Sequence, residues 1–181
     1  CRDAQKFQKE GKPLSISVNI SPKQLESAVF VREVRRILQE VDLHDIQLIL
    51  EVTERSLLST SHRILERIRE LKQMGIQMSM DDFGMGHSSM MYLQENAFDE
   101  VKLDGSLVRQ ILENERSQDI VRGITRLAAS MQFHVVAEFV ETREQMELLK
   151  ALHCDIYQGY YYGKPCSCDE FIAIYLKQEV S

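Results

Sequence analysis

The sequence predicts an α/β fold, a TIM-type (β/α)8 barrel of which about six βα units lie in this chain. Three observations predict it. Short apolar strands alternate with amphipathic helices along the whole length. No stretch between them is long enough to be a linker, so residues 1–181 read as a single domain. Every predicted strand ends in a polar residue suited to chemistry: Asn19, Glu51, Asp81 with Asp82, Lys102, Glu138 and Gln158. The alternation alone fits an open doubly wound sheet equally well. The strand ends favour the barrel, which gathers all C-terminal strand ends at one mouth, whereas an open sheet spreads them along a line.

In chain order, Asp3 to Glu10 predicts the last turns of a helix, with Gly11 as its stop and Pro13 barring continuation. Leu14, Ile16, Val18 and Ile20 alternate with polar residues, so Leu14–Ile20 is a strand; Pro22 then fits a first helical turn. Val29–Val41 carries a helical stripe. Ile46–Val52 is a near-continuous apolar strand. Ser61–Met74 is a helix with Ile64, Leu65, Ile68 and Leu71 on one face and Gly75 as its stop. Ile76–Met80 is a strand, and Ser88–Glu95 a short helix. Glu100–Leu103 is a strand, followed by helices Leu107–Leu112 and Ser117–Met131, the latter with Ile120, Ile124, Leu127 and Met131 as its apolar seam. Phe133–Ala137 and Asp155–Gln158 are strands on either side of helix Arg143–Leu152, and Cys168–Lys177 is the final helix. Met74, Met78, Met80, Met90 and Met91 read as core filler.

At 181 residues with 44% hydrophobic and 28% charged residues, the chain has the composition of an ordinary folded domain. A net charge of -6 argues against a DNA or RNA binder, which needs a basic face, but leaves room for a phosphate ligand held through cations. Cys1, Cys154, Cys166 and Cys168 show no zinc spacing and read as free thiols of a reducing, cytoplasmic compartment. No apolar run approaches the ~20 residues of a membrane span, which also fits the cytoplasmic part of a membrane-anchored parent. The chain starts at Cys1, inside a predicted helix, and reads as part of a longer protein.

Asn19, Glu51, Asp81, Asp82 and Glu138 are all oxygen donors, the set that hard cations such as Mg2+ or Mn2+ take. Four carboxylates in one mouth roughly balance two divalent ions. Paired ions ~3.5–4 Å apart are a standard means of cleaving phosphate esters. Lys102 would orient a water or neutralise a phosphoryl oxygen, and Gln158 with the tyrosines at 160–162 would hold a base or ribose. Singly, each residue has a plainer reading: Glu54 and Glu141 as helix caps, Lys102 as a snorkelling lysine, Asn19 as a helix-entry residue. The joint occurrence at six strand ends carries the functional reading.

The series Val18-Asn19-Ile20-Ser21, Glu51-Val52-Thr53-Glu54, Asp81-Asp82-Phe83-Gly84-Met85-Gly86, Lys102-Leu103-Asp104, Ala137-Glu138-Phe139-Val140-Glu141 and Gln158-Gly159-Tyr160 resembles the EAL domain family. These are bacterial phosphodiesterases that open cyclic di-GMP to linear pGpG. The resemblance covers essentially the whole chain. It implies that Asn19, Glu51 and Asp81 are metal ligands, that Asp82 serves a second metal, and that Glu138 holds metal directly or through water. It implies that Lys102 positions the attacking water, with Lys102, Glu138 and Asp82 as the catalytic set. Glu54 would anchor the loop after Asp82; Gln158, Glu141 and Asp104 would contact substrate or support the ligands. It further implies a homodimer through helices near that loop, with Ser117–Met131 as the candidate interface, and an upstream sensor or cyclase domain. The Glu-Ala-Leu strand that names the family is absent, so the isolated fragment is expected to be poorly active. Met85, His87 and Phe139 depart from the family pattern; Phe139 stands where glycine is usual and would narrow the pocket. Two rivals are a catalytically silent cyclic di-GMP receptor and a metal-assisted enolising barrel.

Overall fold

Six parallel strands pair strictly in sequence order, β1-β2-β3-β4-β5-β6, forming the wall of a half-barrel. The computed structural model describes residues 14–41, 43, 46–57, 63–84 and 90–176. The predicted helix Asp3–Glu10, the segment Met85–Ser89 with His87, and the ends at Ser61 and Lys177 lie outside the described residues. The elements are β1 (Leu14–Asn19), α1 (Pro22–Glu26), α2 (Ala28–Glu40), β2 (Ile46–Thr53), α3 (Glu54–Leu57), α4 (Arg63–Lys72), β3 (Gln77–Phe83) and α5 (Met90–Gln94). They continue as β4 (Glu100–Leu103), α6 (Gly105–Arg109), α7 (Glu115–Met131), β5 (His134–Ala137), α8 (Arg143–Ala151), β6 (Ile156–Tyr157) and α9 (Cys168–Phe171), which runs on as a π-helical turn, Ile172–Leu176.

Helix outside and helix-facing strands explain the burial. Every residue of β4 is buried and β2 nearly so, as a parallel strand covered on both faces requires. α4 lays Ile64, Leu65, Ile68 and Leu71 against the sheet, the face its 3.6-residue period predicts. Burying each contributes roughly 1.5–3 kcal/mol. Ser21 starts α1 through a capping box with Gln24, and Pro22 occupies the first helical turn. The chain after β6 returns to β1: Leu14 and Ile16 share a 360 Å3 cleft with Cys166, Ser167 and Phe171. The sheet therefore curls.

Four expectations need correction. β3 does not stop at Met80 but runs through Asp81 and Asp82 to Phe83. Its pairing with β4 shifts register between Met80 and Phe83, and Asp82 takes a left-handed φ of 57°. The helix after β4 spans Gly105–Arg109 rather than Leu107–Leu112 because Asp104 caps it early, accepting from Ser106 N–H at 2.8 Å. On α7 the expected seam holds at Ile124, which is buried, and at Leu127 and Met131, which pack partly buried against the core, but Ile120 is exposed and Ser117, Val121, Thr125 and Ala128 are buried as well. Met78 and Met80 are core, but Met90 and Met91 are exposed.

Candidate active site

Lys102 lies on the inward face of β4 at the C-terminal end of the sheet. Its Nζ donates to Glu51 Oε2 at 3.0 Å and lies 2.8 Å from Glu138 Oε1. Glu51 is on β2, two strands away, which in a flat sheet is about 10 Å. The inward curl brings the two side chains together. Lys102 and Glu51 are each only 6% exposed as side chains. Burial opposes the charge on Lys102, yet the Glu138 hydrogen bond and the charges of Glu138 and Glu51 hold its pKa above the ordinary lysine range. Glu138 moves up as well. Burial raises it, Lys102 pulls it down, and the nearby charges of Asp81 and Glu51 push it back up. Lys102 rises because two carboxylates face it, and Glu138 rises because its burial outweighs the pull of Lys102.

Asp81 and Asp82 extend this acidic surplus. The Asp82 N–H donates to Asp81 Oδ1 at 2.9 Å, which fixes the turn between them. Asp82 is raised first by burial and then by the charges of Asp81 and Asp104, with Arg55 and Lys102 opposing. Its left-handed backbone costs roughly 1–2 kcal/mol, and aspartate is among the residues that tolerate it. Glu54, fully buried at the start of α3, accepts from Gly84 N–H at 3.2 Å, so its carboxylate holds the first residue after β3. Gly84 in turn rests over Leu107 and Ile124, where an added Cβ would lie 3.5 and 3.6 Å from their side chains.

The remaining predicted residues surround this centre. Asn19 pairs in register with Glu51 at the end of β1 and is exposed. Glu141 and Gln158 are exposed and share with Glu138 a 310 Å3 cleft that Arg109, Phe139 and Tyr160 also line. The backbone of Gln158 is fixed on both sides: its N–H donates to Ala137 O at 2.8 Å, and its carbonyl accepts from Val140 N–H at 3.1 Å. Gly159 makes this possible, since a Cβ there would stand 2.2 Å from Val140 O. The structure thus joins Lys102, Glu51 and Glu138 directly, sets Asp81 and Asp82 within electrostatic reach, and uses Asp104 as a helix cap beside them.

Two features escaped the strand-end reading. Glu100 is buried one layer below Lys102 on the same face, opposite Ser79 in the register. Burial raises its pKa, and the Ser79 hydroxyl lowers it less. The two-residue spacing to Lys102 is the signal that places both inward. Arg109 was also missed. It stands four residues after Gly105, on the same helical face, where a glycine leaves room for a neighbour.

The donor chemistry fits a hard cation. Asn19, Glu51, Asp81, Asp82 and Glu138 offer oxygen, and burial first, with neighbouring carboxylates second, raises Asp82 and Glu138. Among the described residues, no three His, Cys, Asp or Glu side chains already surround one point. The Lys102 ammonium stands between Glu51 and Glu138 instead.

A parallel sheet curled into a barrel wall, with an acidic oxygen-donor cluster around one lysine at its C-terminal mouth, places the chain in the (β/α)8-type barrel class. The EAL domain model matches residues 1–165, and the chain belongs to that family. The cyclic di-GMP phosphodiesterase NbdA of Pseudomonas aeruginosa is 34% identical over 179 residues, 97% of this chain and 23% of that protein. The phosphodiesterase PaMucR, solved as a complex with cyclic di-GMP, superposes with a TM-score of 0.82 at 32% identity over 93% of this chain and 69% of its own. BlrP1 of Klebsiella pneumoniae, in a manganese and cyclic di-GMP complex, superposes with a TM-score of 0.78 at 26% identity over 91% of this chain and 42% of its own. The chain spans 20–23% of the length of several curated relatives that it matches. No helix among the described residues is long and apolar enough to cross a membrane.

Proposed function

We propose that the protein carrying this chain is a metal-dependent phosphodiesterase that hydrolyses cyclic di-GMP to linear pGpG. The observation that carries the reading is the buried Lys102 ammonium held between Glu51 and Glu138 at the barrel mouth. Asn19, Glu51, Asp81, Asp82 and Glu138 are the residues that would hold Mg2+ or Mn2+, as two ions, and these supply Lewis acidity and an acidified water when bound. The chain's own residues do the positioning. An ammonium has three N–H donors, and Lys102 uses two on Glu51 and Glu138, leaving one for the attacking water or a phosphoryl oxygen. Its raised pKa keeps it charged at neutral pH. Opening one link adds water across one P–O3′ bond and leaves a 5′-phosphate.

Assembly belongs to the same reading. Glu54 grips Gly84, Gly84 rests on Ile124 of α7, and Ile120 one turn away leaves apolar surface for a second copy. A dimer through α7 would therefore be felt at Asp82, two residues before Gly84. The test is conversion of cyclic di-GMP to pGpG, followed chromatographically with Mn2+ and again after chelation. Turnover that needs the ion supports the reading. Binding without turnover at any metal would instead make the protein a receptor.

A further inference from the structure

Phe139 directly follows Glu138 and holds a left-handed φ of 56°, a region that bulky residues enter only when their surroundings force it. Its ring covers Gly105 so closely that a Cβ there would lie 2.5 Å from it. The Arg109 guanidinium lies over the same ring, 4.1 Å from its centroid. Stacking uses the flat face of the guanidinium and leaves its edge N–H groups available. Among the described residues, those N–H groups make no hydrogen bond or ion pair. Arg109 borders the 310 Å3 cleft that Glu138, Glu141, Gln158 and Tyr160 also line, beside the Lys102 cluster. A strained aromatic residue therefore fixes an unused donor fork at the rim of the reacting centre.

We propose that Arg109, positioned by Phe139, makes this site choose guanine over adenine; the proposal rests on the cyclic di-GMP reading above. Guanine presents O6 and N7 as paired acceptors, which the guanidinium fork matches in two parallel bonds. Adenine places an N6 amino donor where O6 would be, so donor meets donor. The carboxylate of Glu141 complements the opposite edge of guanine, whose N1–H and N2 amino group are donors. Tyr160, an exposed ring on the same cleft, offers a face on which the purine stacks. Phe139 acts through Arg109 and is a positioning residue.

The test is calorimetric binding of cyclic di-GMP and cyclic di-AMP in Ca2+, with ligand integrity checked chromatographically afterwards. Arg109→Met is expected to weaken cyclic di-GMP by about 10–100-fold and cyclic di-AMP by less than about 3-fold, the range of one bidentate base contact. Phe139→Gly, which relieves the left-handed strain, is expected to shift the preference in the same direction. The double variant should bind no more weakly than Arg109→Met, because the two residues act in series. Equal weakening of both dinucleotides would mean a phosphate contact and would overturn the proposal, as would an unchanged preference. Selective binding in Ca2+ with no hydrolysis once Mn2+ replaces it would sink the phosphodiesterase reading alone; binding of neither ligand would sink both.

Discussion

Lys102 on β4 reaches past β3 to Glu51 on β2, and the 3.0 Å contact between them is closed off from solvent. Glu138 completes the arrangement from the loop after β5. Burying three charges is tolerable only because each has a partner. Lys102→Met would leave two carboxylates facing each other in a dry site. We expect it to lose about 3–5 kcal/mol of stability at neutral pH. The loss should shrink on acidification, since protonating Glu138, whose pKa lies above the ordinary range, removes the repulsion. Urea unfolding at several pH values measures this; a loss independent of pH would contradict it.

Glu100 has a carboxyl whose pKa is raised above the ordinary 4.5 by burial. An acid with a raised folded pKa binds more protons folded than unfolded, so its contribution to stability falls as pH rises through that folded pKa. Glu100→Gln removes the charge and keeps the shape. It should stabilise the protein by on the order of 1 kcal/mol at pH 8, and the gain should vanish below the ordinary value of 4.5. Thermal unfolding at the two pH extremes checks the sign.

Glu54 ties α3 to Gly84 from the protein interior. Glu54→Ala leaves the Gly84 N–H without that acceptor. The expected cost is about 1–3 kcal/mol, and hydrogen exchange at Gly84 should quicken. Unaltered exchange there would separate Glu54 from the loop.

Gly159 admits no side chain because the Val140 backbone occupies the place of its Cβ. Gly159→Ala should push the Gln158 segment away from Val140, at about 1–3 kcal/mol, and widen the cleft that holds Glu138 and Glu141. Turnover should fall more than stability does. A variant with unchanged unfolding and turnover would show that the two backbones are free to part.

The sequence made the strand ends legible but not what meets across them. α4 was readable because Ile64, Leu65, Ile68 and Leu71 are large and periodic. α7 was readable only in part: Ile124, Leu127 and Met131 of its expected seam meet the core, but Ser117, Thr125 and Ala128 are buried without carrying a hydrophobic signal. Asp81 and Asp82 ended the predicted strand by their polarity, yet β3 continues through them because a barrel mouth accepts charged residues on strand backbone. The contact of Lys102 with Glu51 depends on sheet curvature, which no local pattern encodes. The stacking of Arg109 on Phe139 joins residues far apart in the chain and depends on the missing side chain of Gly105.

The most direct measurement compares cyclic di-GMP turnover by the unaltered protein and by Lys102→Met at saturating Mn2+ and substrate. The account predicts conversion to pGpG that chelation abolishes, and a fall in kcat of about 10²–10³ on losing the Lys102 ammonium. A Lys102→Met protein that is folded and turns over at the unaltered rate would contradict the placement of the chemistry at this site.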